Sequence, residues 1–189
     1  MNRLSVIILF LSLLLSLPAF AQEEAMSPAQ KMFQDRVGKV QWKNVSIEFR
    51  PVSEKSSRGA QALVVQSVDQ ENGKTYQVDK KVILGLKDIA NMDVTYNPND
   101  INFVRLLMYF DKDGQKTLAD YTTKHLGEQM GVVIDGKLRL VANIRQPLVN
   151  GKVQVYGLAP NEAVDVARRY YEPKLDLARQ INEEIQNKK

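Results

Sequence analysis

The chain has 189 residues, no cysteine, a single histidine and a formal charge of +4. Without cysteine there is no disulfide and no thiolate site, and one histidine leaves a His-based catalytic pair or metal site without its second member. Acids and bases are interspersed, with no basic cluster beyond Lys188-Lys189, so nucleic acid is not an expected partner.

The first residues, MNRLSVIILFLSLLLSLPAFAQEE, combine Arg3 with a 12-residue run of apolar residues and serine, Val6–Leu17, and then Ala19-Phe20-Ala21. That run is short of the roughly 20 apolar residues of a membrane span, and the small residues at 19 and 21 suit a signal peptidase. A signal peptide over 1–21 is expected, cleaved between Ala21 and Gln22. No cysteine follows for lipid attachment, and no other apolar run approaches spanning length. The expectation is an exported, periplasmic chain that does not span the membrane after cleavage. Its 168 residues would carry 25 basic and 22 acidic side chains, and suffice for one domain with its own core.

Residues 22–44 read as a polar lead-in with a short helix around Pro28–Gly38, in which Met32, Phe33 and Val37 are the apolar contacts. Val45–Phe49 alternates as a half-buried strand does, and Pro51–Gly59 reads as a turn-rich loop. Ala62–Val68 and Thr75–Val78 flank Asn72-Gly73, a hairpin signal because both residues tolerate positive φ. Leu84–Ile89 reads as a brief helix or turn, Met92–Tyr96 as a strand and Asn97–Asp100 as a turn. Phe103–Phe110, FVRLLMYF, is nearly continuously apolar and predicts a central strand.

Asp111 is placed to cap a helix with Asp113 in its first turn; Leu118, Tyr121, Thr122 and His125 share one face, and Gly127 ends it. Gly131–Leu140, GVVIDGKLRL, predicts a strand, an Asp135-Gly136 turn and a second strand. Asn143–Gly151 is a loop containing Pro147, and Lys152–Gly157 alternates as a strand. Pro160 suits the first turn of a helix with Ala163, Val166, Ala167 and Tyr170 as its stripe. Pro173 is expected to interrupt that helix, leaving a separate final helix over 173–189 with Leu175, Ala178, Ile181 and Ile185 as its stripe. The pattern predicts an α+β domain over 45–172, an antiparallel or mixed sheet with helices packed on one face.

From Asp111 to Ala167 this series resembles the head subdomain of the large periplasmic domain of SecD, a membrane subunit of the bacterial protein-export machinery. Asp111 and Gly114 open the helix, Ala119 and Thr122 lie on it, and Gly127 follows. Val132–Ile134 precede Asp135-Gly136-Lys137, and Ile144, Pro147, Leu148, Gly151, Val155 and Gly157 form the return before Glu162, Ala163 and Ala167. Upstream, Lys87-Asp88-Ile89 and Val104–Phe110 also fit. Val141-Ala142 departs from the family's small residue followed by proline, Gly131 from its usual Ala, and His125 from a polar residue such as Asn. The resemblance implies a SecD-head-like fold in which Asp111, Gly114, Thr122, Gly127, Asp135, Gly136, Pro147, Gly151 and Gly157 are family-motif residues with structural roles. SecD continues into transmembrane helices that use the proton gradient; that coupling is not carried over.

Asp111-Lys112-Asp113-Gly114 looks like the start of a calcium loop, but its twelfth position is Thr122 and not Glu, which leaves helix capping. No Gly-rich phosphate loop is present, and Ser46, Ser53 and Ser67 have no base in pattern. Asp135 reads as a turn residue and His125 as a packing or boundary histidine. Arg168-Arg169 reads as solvated surface, and Tyr170-Tyr171 as a contact surface with one ring turned inward. No catalytic, cofactor-binding or metal residue is assigned, and no cofactor. The expected function is a non-catalytic periplasmic binding or accessory module. As the resemblance implies, its partners would be unfolded or translocating polypeptide, or an envelope or export protein complex. Sheet-edge recognition would serve, with Leu138–Ile144 as the candidate edge. The alternatives are a structural assembly protein oligomerising through the C-terminal helix, and a carboxylate-dependent hydrolase. Binding residues and oligomeric state are left open.

Overall fold

β1 (Ile47–Ser53), β2 (Gln61–Val64), β3 (Thr75–Val78) and β4 (Leu84–Gly85) precede a 3₁₀ turn at Leu86–Asp88. The long hairpin of β5 (Ile89–Asn97) and β6 (Asp100–Phe110) follows that turn. α1 (Pro28–Val37) comes before all of these, and α2 (Lys112–Lys124), β7 (Gln129–Ile134), β8 (Lys137–Asn143), β9 (Lys152–Val155) and α3 (Pro160–Gln186) complete the chain. The computed structural model describes residues 27–37, 39–42, 44–53, 59–67, 72–97 and 100–188. The expected signal peptide, and the centre of the turn at Asn97–Asp100, lie outside the described residues.

The fold is α+β as expected, but it has two sheets where one was expected. The first runs β2-β3-β1-β7-β8, with β4 also on β1, and the second runs β5-β6-β9. All strand pairs are antiparallel, and one isolated parallel bridge joins Val65 to Leu138. The 3₁₀ turn separates the sheets. Asp88 holds it by accepting the Gly85 N–H on its carboxylate at 2.7 Å, and Asp88 O takes the Asp111 N–H at 3.0 Å.

The main core lies between the sheets and helices. Ile47, Phe49, Val132 and Ile134 come from the first sheet, Met92, Leu106, Met108 and Phe110 from the second, and Leu118, Ala163, Val166 and Tyr170 from α2 and α3. Phe49 meets Phe110 edge-on, ring centroids 5.3 Å apart, joining the two sheets. A second cluster of Val52, Val65, Tyr76, Val78, Val133 and Leu138 sits on the opposite face of the first sheet. β7 is therefore buried on both faces, which is why Val132-Val133-Ile134 is continuously apolar instead of alternating. Gly131 fits here because a Cβ would stand 2.6 Å from Val52 Cγ2 and 2.9 Å from Leu138 Cδ1.

Two expectations are corrected. β1 continues over Pro51 to Ser53, where a loop was expected. Pro51 falls between the β4 pairing at Glu48-Phe49 and the β3 pairing at Val52-Ser53, and its carbonyl takes the Asp79 N–H at 2.9 Å. Its missing N–H thus breaks no ladder bond. Likewise, Pro173 does not interrupt the last helix: α3 is one helix of 27 residues with Pro173 inside it, and no separate helix begins at 173. Proline removes the helical donor for Arg169 O, and the neighbouring Tyr170 O accepts the Trp42 indole N–H at 3.0 Å. α1 lies along the outer half of α3, where Arg36 binds Glu184 through two hydrogen bonds of 2.6 and 3.0 Å. Both side chains are about two-fifths exposed, so the pair holds α1 weakly.

Candidate functional site

The motif residues sit mainly where α2 meets its surroundings. Asp111 Oδ1 accepts the Gly114 N–H at 2.7 Å, capping α2, and the absent side chain of Gly114 lets Asp88 O approach. Thr122, fully buried, donates from Oγ1 to Leu118 O at 2.7 Å and accepts the Leu148 N–H at 2.9 Å. The Gly127 N–H donates to Ile144 O at 2.8 Å, and the Phe110 N–H donates to Gly151 O at 2.9 Å. Pro147 is exposed in the loop between Ile144 and Gly151, and Gly157 is buried ahead of Leu158. They form turns, caps and closures and do not converge on one cavity.

Asp135 and Gly136 make the β7–β8 turn with φ of 50° and 75°. Asp135 has a second task that its turn pattern did not show. Oδ1 accepts the Ser46 N–H at 2.9 Å, and Oδ2 pairs with Arg169 at 2.8 Å. Arg169, expected as solvated surface, is only 17% exposed and also contacts Asp165 and Asn44 O. These hydrogen bonds, that to Asp135 foremost, push its guanidinium pKa further up. Arg168 does lie in solvent, between Asp165 and Glu172.

Among the described residues, three cavities open on the surface. One of 520 Å³, with Ile47, Glu48, Leu86 and Lys87 in its wall, adjoins one of 330 Å³ between Lys81, Asp120, Lys124 and His125. They share Val82, Ile83 and Thr117. His125 stacks on Tyr121 at 4.1 Å between centroids, with Nδ1 2.9 Å from Glu128, as suits a boundary histidine. The third, 280 Å³, lies between α1, Trp42, Ala90, Asp111 and Lys174. Lys174 Nζ stands 4.0 Å from the Tyr170 ring centroid and donates to Ala90 O at 3.2 Å and to the Tyr170 hydroxyl. Burial pushes its ammonium down to about 8, against the pull of the ring and the two oxygens. Among the described residues no group of three or more His, Asp or Glu could hold a metal ion.

The sheet edges are unequal. Leu138–Ile144, the expected edge, is partly closed: Gln66 N donates to Leu138 O at 2.8 Å, and Arg139 Nη1 donates to Gln66 O at 2.8 Å while Nη2 binds Glu162. These contacts curl β2 onto β8 around the second cluster. Among the described residues, the outer edge of β5 is guarded only at its start. Tyr170 Oη donates to Ile89 O at 2.6 Å, Lys174 reaches Ala90 O, and Tyr171 Oη accepts the Met92 N–H at 3.0 Å while donating to Met92 O at 2.7 Å. Tyr170 is indeed the buried ring of the pair, but the Tyr171 hydroxyl serves as a one-residue stand-in for a neighbouring strand.

Two antiparallel sheets and a helix bonded to both define an α+β module. The family is that of the SecDF P1 head subdomain, which matches residues 61–169, and the chain belongs to it. Among curated proteins it is 28% identical over 89 residues to "Protein translocase subunit SecD" of Treponema pallidum, covering 47% of this chain and 15% of that one. It is also 28% identical over 90 residues to the SecD of Acidaminococcus fermentans, covering 45% and 21%. The chain thus spans less than a quarter of the length of these relatives. Two solved structures share the fold. One, described as "a membrane component SecDF that enhances protein export", has a TM-score of 0.52 at 20% identity, covering 79% of this chain and 70% of that chain. The other, SecDF in a "Super-membrane-facing form", has a TM-score of 0.53 at 20% identity over 77% and 21%. Among the described residues no helix is long and apolar enough to cross a membrane.

Proposed function

We propose that this protein is a periplasmic accessory of protein export that binds extended, unfolded polypeptide without catalysing a reaction. The observation that carries this is the family match over residues 61–169, which takes in both sheets from β2 onward, α2 and the first part of α3. The curated relatives are named as translocase subunits, and a structural neighbour is described as enhancing protein export. The nine motif residues act as scaffold in this reading. Assembly through the C-terminal helix is less favoured, because α3 is continuous with the domain and its Ile181 is already buried, where α1 packs. The test is a fluorescence-anisotropy titration of residues 22–189 with a labelled, permanently unfolded polypeptide at physiological ionic strength. Saturable binding is expected, and none with any unfolded client would overturn the proposal.

A further inference from the structure

Backbone parity fixes which groups of β5 face outward. Along β5 and β6 the register runs unbroken from Asn91↔Tyr109 to Tyr96↔Val104. In an antiparallel pair the residues alternate, one set exchanging both backbone bonds with the partner strand and the next pointing both groups away. Both groups of Met92 go to Tyr171 and not to β6. Val94 and Tyr96 share its parity, so their N–H and C=O also point away from β6. The second sheet ends at β5, and among the described residues nothing bonds these four groups. Residues 89–92 are closed by α3, and 94–96 are open.

What lies beside the open stretch follows from the run of α3. Lys174 stands at Ala90 and Tyr171 at Met92, so helix and strand are antiparallel. A strand advances about 3.3 Å per residue and a helix about 1.5 Å. Val94 then falls abreast of Ala167, and Val164 falls level with Thr95, between the two outward-facing residues. Val94 and Ala167 both pack against the main core, whereas Tyr96 and Val164 are 51% and 45% exposed. An outward-facing ladder thus borders a shallow apolar wall.

We infer that the edge at Val94–Tyr96, with Ala167 and Val164 of α3, is a docking groove for one extended polypeptide segment with apolar side chains at alternate positions. The occupant is set by the groove's chemistry. Two N–H donors and two carbonyl acceptors at strand spacing are matched by another extended backbone, and the apolar wall on one face by every second side chain. With only two residues pairing, binding is weak and quickly reversed, as passage of a moving chain requires.

The inference rests on the polypeptide-binding function proposed above and names its site. The probe is a fluorescein-labelled peptide of alternating Val and Thr with terminal lysines, read by anisotropy and by amide hydrogen exchange of residues 22–189. Saturable binding is expected, with slowed exchange at Val94 and Tyr96. The same peptide with alternate amides N-methylated should bind at least several-fold more weakly. Tyr96→Pro deletes one outward donor and no β6 bond, and is expected to weaken binding about three- to tenfold at unchanged melting temperature. Tyr96→Thr keeps the donor and controls for the lost ring. Saturable binding without protection at Val94 and Tyr96 overturns the site and leaves the function standing; absence of binding overturns both.

Discussion

Replacing Thr122 by Val tests what a motif threonine does in this fold. The side chain is fully buried, and its hydroxyl is the acceptor for the Leu148 N–H, tying the loop after β8 to α2. Valine keeps the shape and removes the acceptor. Leu118 O loses a second donor yet remains inside the helix, so the cost falls on the Leu148 N–H, about 1–3 kcal/mol for a buried unpaired donor. Thr122→Ser keeps the hydroxyl and loses one buried methyl, about 1 kcal/mol. Urea unfolding followed by far-UV circular dichroism separates them: both midpoints fall with unchanged slope, Val further than Ser. Amide exchange at Leu148 should speed up in the Val variant alone. A Val variant as stable as the parent, or a Ser variant that is worse than Val, would refute the role assigned to the hydroxyl.

Asp135→Asn preserves a residue that tolerates positive φ while removing the charge that meets Arg169, so it should cost about 1 kcal/mol at low salt and markedly less at 1 M NaCl; melting temperatures at the two salt levels check this, and an equal loss at both would leave only turn geometry. Lys174 releases its proton near pH 8 when folded but near the ordinary lysine value of 10.5 when unfolded. The unfolded state therefore binds more protons between these values, and stability should rise as pH climbs from about 8 towards 10. Above 10 the burial of Tyr170, which pushes its pKa up, acts in the opposite sense because the unfolded tyrosine ionises first. Lys174→Met should remove the rise and be more stable than the parent at pH 7; denaturation midpoints from pH 7 to 10 measure both, and a flat parental profile would contradict the burial argument.

Patterns with a short physical range were legible in the sequence. Asp111 caps α2 because capping needs only a side-chain oxygen three residues before an amide, and the Asp135-Gly136 turn needs only two adjacent residues that accept positive φ. The spaced series from Asp111 to Ala167 was enough to indicate the family. What depended on contacts between distant residues was not legible. Pro173 looked like a break, because nothing local reveals the packing of α3 against β5 and α1 that carries the helix across it. Pro51 looked like a loop because the gap between β3 and β4 that tolerates it exists only after those strands pair.

The same distinction governs the candidate site. Alternation identified strands but could not say which would end a sheet, since an edge is defined by the neighbour that does not arrive. Leu138–Ile144 was a natural choice until Gln66 and Arg139 closed part of it, and β5 carried no marker of its own until Tyr171 was seen to serve Met92 and leave Val94 and Tyr96 unserved. The sequence by itself determined the α+β character, the capped helix, the hairpin turn and the family, because each rests on neighbours along the chain. The division into two sheets, the unbroken last helix and the choice of open edge were decided only in the tertiary structure, because each rests on contacts that folding brings together from far apart.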